Sequence, residues 1–223
     1  MTLRRFSFFT FAALASAMSA AAEPAENWQT AFPRDAAAEQ SVYFGARYVD
    51  ASGVEHRQEV WREASNRLRR VTDDRLDLIV ERDADGEYQY RLADRERHIM
   101  VLADRTSLYR AGIFSDWEGL AYALSRPRAE HELIAQRASE QTAAGSCSWT
   151  TLIVKTPAES ASRICWSSEW GLPLSIQTRR GDEWVMQFAI TEVRAFQPSD
   201  TVFQVDPAGY LEMDTRAGDD LAD

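Results

Sequence analysis

LDLIVERDADGEYQYRL, residues 76–92, is the stretch from which the rest of the chain can be read. Leu76, Leu78 and Val80 alternate with polar or β-branched residues, and Tyr88, Tyr90 and Leu92 do the same. A period of two belongs to a half-buried strand, so the stretch reads as two strands and a turn. Opposed side chains of an antiparallel pair lie on one face, so the apolar even positions must meet one another. A two-residue Asp85-Gly86 turn would set Val80 against Arg91 and split the apolar face. A three-residue loop, Ala84-Asp85-Gly86, sets Val80 against Tyr90 and Leu78 against Leu92, with Gly86 at the left-handed position of that loop. Glu81, Asp83, Asp85 and Gly86 also match half of a calcium loop, but its twelfth position would be Leu92 in place of a bidentate Glu. The reading is a plain hairpin with no metal.

The same period extends in both directions. Strands are predicted at 41–50 and 54–63, joined by Ala51-Ser52-Gly53, then at 66–72 and 97–103. Others follow at 147–155, 163–168, 172–179 and 183–193, with a short last piece at 202–205. In the final long hairpin Trp184, Met186, Phe188 and Ile190 are expected to share a face, with Leu174 and Ile176 opposite Phe188 and Met186. One helix stands apart. Ser115 can cap it, Glu118 completes a capping box, and Trp117, Leu120, Ala121 and Leu124 form one stripe before Pro127. The fold class is therefore mainly β (α+β): a curled, unclosed antiparallel half-barrel of roughly ten strands, with one to three helices over its open side.

Arg4 and Arg5, an apolar run from Phe6 to Met18, and Ala20-Ala21-Ala22 read as a cleavable signal peptide, residues 1–22. A lead-in segment (23–40), the half-barrel domain (41–211) and an acidic disordered tail (212–223) follow. Acidic residues outnumber Lys and Arg by 35 to 25, and removing the leader takes two more bases away. That balance excludes a nucleic-acid partner and adhesion to anionic headgroups. No Cys stands directly after the cleavage site to become a lipidated N-terminus and no later run is long enough to span a bilayer, so a soluble periplasmic protein, not lipid-anchored, is expected.

Ala144-Gly145 leads into one strand, and Trp170-Gly171-Leu172-Pro173-Leu174 follows another. A long strand then ends near Pro198, before Phe203-x-x-x-Pro207-x-Gly209-Tyr210. In order and spacing, over roughly residues 42–210, this resembles the periplasmic superfamily containing the outer-membrane lipoprotein carrier LolA and the envelope-stress regulator RseB. The resemblance implies an unclosed barrel capped by helices around an apolar cavity. In the carrier, the Arg of an Arg-Pro pair after the second strand holds the helical lid. The corresponding Trp61-Arg62-Glu63-Ala64-Ser65 lacks that pair, and the carrier's N-terminal helix is hardly visible in residues 26–32.

Cys147 and Cys165 are the only cysteines, and an exported pair is expected to be bridged. Their odd numbers allow one shared face, although a directly opposed pair would centre the turn near Thr156, where composition centres it near Glu159. His56, His98 and His131 have no metal-ligand spacing, no nucleophile elbow or phosphate loop occurs, and Arg180-Gly181-Asp182 is ordinary turn chemistry. Neither a cofactor nor a catalytic residue is assigned. The functional expectation rests on Trp61, Leu78, Val80, Tyr88, Tyr90, Trp117, Leu120, Leu124 and Phe188 as cavity lining. It is a carrier of an acyl chain, lipid or lipoprotein; the alternatives are a regulatory module acting through an envelope protein and, third, a hydrolase. Export is checked by N-terminal sequencing of the secreted protein, which should start at or near Glu23; an intact Met1 would contradict the leader.

Overall fold

The computed structural model describes residues 23–24, 27–35, 39–110, 117–155 and 159–216. The leader at 1–22, the Ser115 cap and the end of the tail, 217–223, lie outside the described residues.

Thirteen strands join in one sheet. The first half is a meander: β2 (Ser41–Val49), β3 (Glu55–Glu63), β4 (Arg67–Thr72), β5 (Leu76–Arg82), β6 (Tyr88–Asp94) and β7 (Ile99–Asp104). The second runs β8 (His131–Thr142), β9 (Gly145–Val154), β10 (Ser160–Ser167), β11 (Leu172–Arg180) and β12 (Glu183–Ala195). Pairing of β12 with β2 fuses the halves, while β1 (Glu23–Pro24) extends one edge along β8 and β13 (Leu211–Asp214) the other along β7. Among the described residues only the β13–β7 pair is parallel. The sheet is not closed. Short helices α1 (Trp28–Ala31), α2 (Arg105–Arg110) and α3 (Trp117–Tyr122) complete the described elements, with a 3-10 turn at Asp200–Phe203. One apolar core joins Trp28 and Phe32, the inner face of β2–β6, α3, and Ile164, Leu174 and Phe188 of the second half.

The deciding hairpin forms in the expected register, Leu78 opposite Leu92 and Val80 opposite Tyr90. Asp83 N–H donates to the Glu87 carbonyl at 2.8 Å, leaving a three-residue loop with Gly86 at φ +88. The Asp83 carboxylate accepts from the Asp85 and Glu87 amides and from Gln89, so its oxygens organise the turn. The β2–β3 loop repeats the device. Asp50 accepts from the Ser52 and Val54 amides and Gly53 sits at φ +89. An Asp opening the loop and a Gly closing it is what two like sequences, Asp-Ala-Ser-Gly and Asp-Ala-Asp-Gly, encode.

Several expectations are corrected. Gln187 is an extra residue in β12: Ile176 pairs with Phe188 but Gln177 pairs with Met186. A bulge reverses the alternation beyond it. Met186 is accordingly 45% exposed and Phe188 only 7%, and Trp184 lies against Arg163 on the opposite face from Phe188. The strand expected at 202–205 is replaced by the 3-10 turn, whose Phe203 is buried on the outer face. There Arg69 donates to the Val202 carbonyl and Arg67 pairs with Asp200. This strap carries the chain across the sheet, so residues 212–214, expected in a disordered tail, instead form the end of β13. Strand β8 is an addition. Its charged sequence hides the period, and its register shifts between Ala135 and Ser139. Helix α3 ends before Leu124 because Ala123 turns left-handed, at φ 51.

Cys147 and Cys165 are bridged, with Cα atoms 5.2 Å apart. Cys165 pairs with Trp149 and Trp166 with Ser148 across β9–β10, so the bridge runs diagonally rather than between opposed residues. No bulge is needed. The residues enclosed by the bridge, at a separation of 18, correspond to about 3 kcal/mol in the chain-entropy treatment. Thiol labelling of denatured, unreduced protein should find no free thiol, and reduction should lower the urea midpoint accordingly. Two labels per chain would contradict the bridge.

Candidate functional site

Rows of paired residues build the inner face of the first half. Phe44 faces Val60, Val60 faces Arg70, Arg70 faces Leu78, Leu78 faces Leu92, and Leu92 faces Val101. Over this surface, bordering the apolar core, lies a cavity of about 400 Å³. Leu108 of α2 and Leu120 of α3 contribute to its wall, and Tyr48, Thr72, Leu76 and Ala103 line it further. Its size falls within the range of small-molecule sites, and its lining is mostly aliphatic and aromatic, as in such sites.

The residues expected to line a cavity separate into four groups. Leu78, Tyr90 and Leu120 do line it. Val80, Leu124 and Phe188 are buried in the core cluster instead, while Tyr88 and Trp117 stack on each other with centroids 4.8 Å apart. Trp61 belongs to the other face of the sheet. It is opposite Tyr43 and Arg69, with its ring 5.2 Å from that of Tyr43. The lining positions missed by sequence reasoning include Leu76, Leu92 and Arg70, whose parity already matched Leu78. Tyr48, Val101 and Leu108 needed the strand order and the helix placement.

Two arginines seat α3. Arg62 is fully buried, donating from Nη1 to the Ala121 carbonyl at 3.0 Å and from Nη2 to the Trp170 carbonyl at 3.4 Å. Arg34 donates to the Leu124 carbonyl at 2.9 Å and pairs with Glu118. Their guanidinium groups lie 4.6 and 4.4 Å from the Tyr122 ring. The last carbonyls of a helix lack intrahelical donors, and cations there satisfy them while complementing the helix dipole. Burial pushes the Arg62 guanidinium down to about 10, still charged at neutral pH. Although the stretch lacks the Arg-Pro pair, it contains an arginine that holds a helix over the sheet.

Beside the cavity, His56 stacks on Tyr48 and sits between Asp73 at 2.6 Å and Asp50 at 3.3 Å. The bond to Asp73 raises the His56 pKa, and both carboxylates are held below their ordinary range. Ser, His and Asp thus meet, but in an order unlike a nucleophilic triad. Ser52 Oγ donates to Asp50 at 2.6 Å, leaving the carboxylate between the hydroxyl and the imidazole. In a wider groove near β8, His131 Nδ1 lies 2.9 Å from the Ala129 carbonyl and Glu132 pairs with Lys155.

No family model matches the chain, and no curated protein matches it. Among solved structures it is similar to MucB, at 15% identity and a TM-score of 0.48, over 78% of this chain and 60% of that one. MucB in complex with MucA(peri) gives 16% identity and 0.45, over 80% and 58%. The complex of Pseudomonas aeruginosa MucA and MucB gives 16% and 0.43, over 78% and 59%. MucB has a LolA/RseB-like fold. The chain spans about 60% of the length of the MucB chain first compared.

The seating of α3 is testable. Arg62→Met keeps the apolar stem but orphans two carbonyls, and should cost roughly 1–3 kcal/mol. Amide exchange should quicken in α3 more than in β4 and β5; a uniform change would make Arg62 an ordinary core residue.

Proposed function

We propose that the protein is an exported, non-enzymatic binding protein that holds an acyl chain, lipid or lipidated segment against the inner face of its sheet. The observation that carries this reading is the cavity of about 400 Å³ beside an otherwise close-packed core. Protein interiors close to crystal-like density, so a void of this size walled by Leu, Val and Tyr is a feature to be filled by a ligand. The bridge between Cys147 and Cys165 supports export, because such bonds persist in oxidising compartments. Among the described residues no helix is long and apolar enough to cross a membrane. The connectivity around His56 supports binding over hydrolysis, since the imidazole is not hydrogen-bonded to the hydroxyl it would have to activate.

A second reading is a module that acts through a partner protein. The edge strand β13 favours it, since Leu211 is 66% exposed and Met213 47% there. An exposed apolar edge can pair with another chain.

Cavity filling separates the two. Leu78 lines the cavity and is only partly buried, so Leu78→Phe can grow into space rather than into neighbours. The variant should keep its urea stability within about 1 kcal/mol and bind an apolar fluorescent probe at least tenfold more weakly. Failure of the wild type to bind such a probe would leave the partner-protein reading.

A further inference from the structure

Three arginines of β4 stand within four positions, and their surroundings differ. Arg67 reaches Glu63 and Asp200, at 2.5 and 2.8 Å. Arg69 clasps the buried Asp77 with two bonds, of 2.9 and 2.5 Å. Arg70 points to the other face. Its neighbours across the sheet are Val60 and Leu78, and it lines the cavity. Among the described residues that line that cavity it is the only charged one, and none of them is a carboxylate. Nor does any described residue hydrogen-bond to its guanidinium or form an ion pair with it, in a chain with 35 acids to 25 bases. Burial holds its pKa below the ordinary arginine value.

A guanidinium drawn partly out of water, with no counter-charge among the described residues, carries a cost that a ligand can offset by supplying the missing partner. Two of the three hydroxyl-bearing residues of the lining adjoin it: Thr72 follows two positions along β4, and Tyr48 is close enough to interact electrostatically with Arg70. Tyr90 apart, the rest of the wall, from Leu78 and Leu92 to Val101 and Leu108, is apolar. One cavity therefore has a cationic, hydroxyl-bearing region and an apolar remainder.

We infer that the cavity selects an amphiphile with an oxyanion head, a carboxylate or phosphate monoester on a single acyl chain, whose head pairs with Arg70. The guanidinium fork matches a planar carboxylate or two phosphate oxygens, and such charge-assisted pairs are the strong ones. The tail lies against the aliphatic wall. This rests on the reading of the cavity as a ligand site and gives that ligand its head group.

The test uses dodecanoate, dodecyl phosphate and dodecanol, titrated into the wild type, Arg70→Met and Arg70→Lys with calorimetric detection. The wild type should bind at least one of the two anions roughly 10- to 100-fold more tightly than dodecanol, the difference expected of a hydrogen bond to a charged group. The preferred anion identifies carboxylate or phosphate as the natural head. Arg70→Met should abolish the preference, both anions then binding no more tightly than dodecanol, and Arg70→Lys should restore part of it. Dodecanol binding to the wild type at least as tightly as both anions would overturn the oxyanion proposal and leave the apolar cavity standing. Failure of all three to bind would overturn both. A thermal melt checks that each variant folds, and the wild-type comparison decides if one does not.

Discussion

The burial of Arg62 is the constraint on which the arrangement of this protein depends. A guanidinium with no solvent exposure is tolerable only where the protein supplies acceptors, and here they come from the Ala121 carbonyl at the end of α3 and the Trp170 carbonyl before β11. One side chain on β3 thus ties together a helix and the second half of the sheet. Six residues of helix cannot persist alone, because nucleation is unfavourable and the terminal carbonyls are left open. Arg62 and Arg34 provide that stability, and Tyr122 between them supplies a face for both cations.

The consequence is an uneven interior. Around α1, α3 and the second half of the sheet the packing is dense, with Phe32, Phe44, Ile164 and Leu174 essentially removed from water. Over β4–β7, among the described residues, Leu108 and Leu120 are the helical side chains in the wall of the cavity. The outer face of the same strands is covered differently, by the strap carrying Phe203 and by Arg69 and Arg95 closing on Asp77. A sheet supported from outside can leave part of its inner face uncovered without losing its shape. That division lets one set of residues hold the fold while another lines the cavity.

Local chemistry was legible in the sequence wherever a short-range rule had one solution. The register of 76–92 followed from parity and from Gly86, and the cysteine pair followed from its being the only one. What escaped depended on distant partners. Gln187 carries no local mark of a bulge, yet it turns Met186 and Trp184 away from the face of Phe188. Leu211–Asp214 reads as tail, and it becomes a strand because the strap delivers it to the free edge of β7. Arg62 was visible only as part of a motif lacking its proline, and the carbonyls it binds lie far along the chain, at Ala121 and Trp170. Within the site, the periodicity of Leu78, Tyr90 and Leu120 matches their place in the cavity wall, whereas the odd position of Trp61 turns its ring to the other face, beside Tyr43. Arg70 was passed over for the converse reason: a charged residue on a short strand reads as solvated until the opposing strands show it facing Leu78.

Native mass spectrometry of the gently purified protein tests the proposed ligand-holding role of the cavity most directly. The architecture predicts a population carrying one acyl-bearing molecule per chain, released by organic extraction and identifiable by its mass. Recovery of the bare chain alone, from gentle purification onward, would contradict a ligand-holding role.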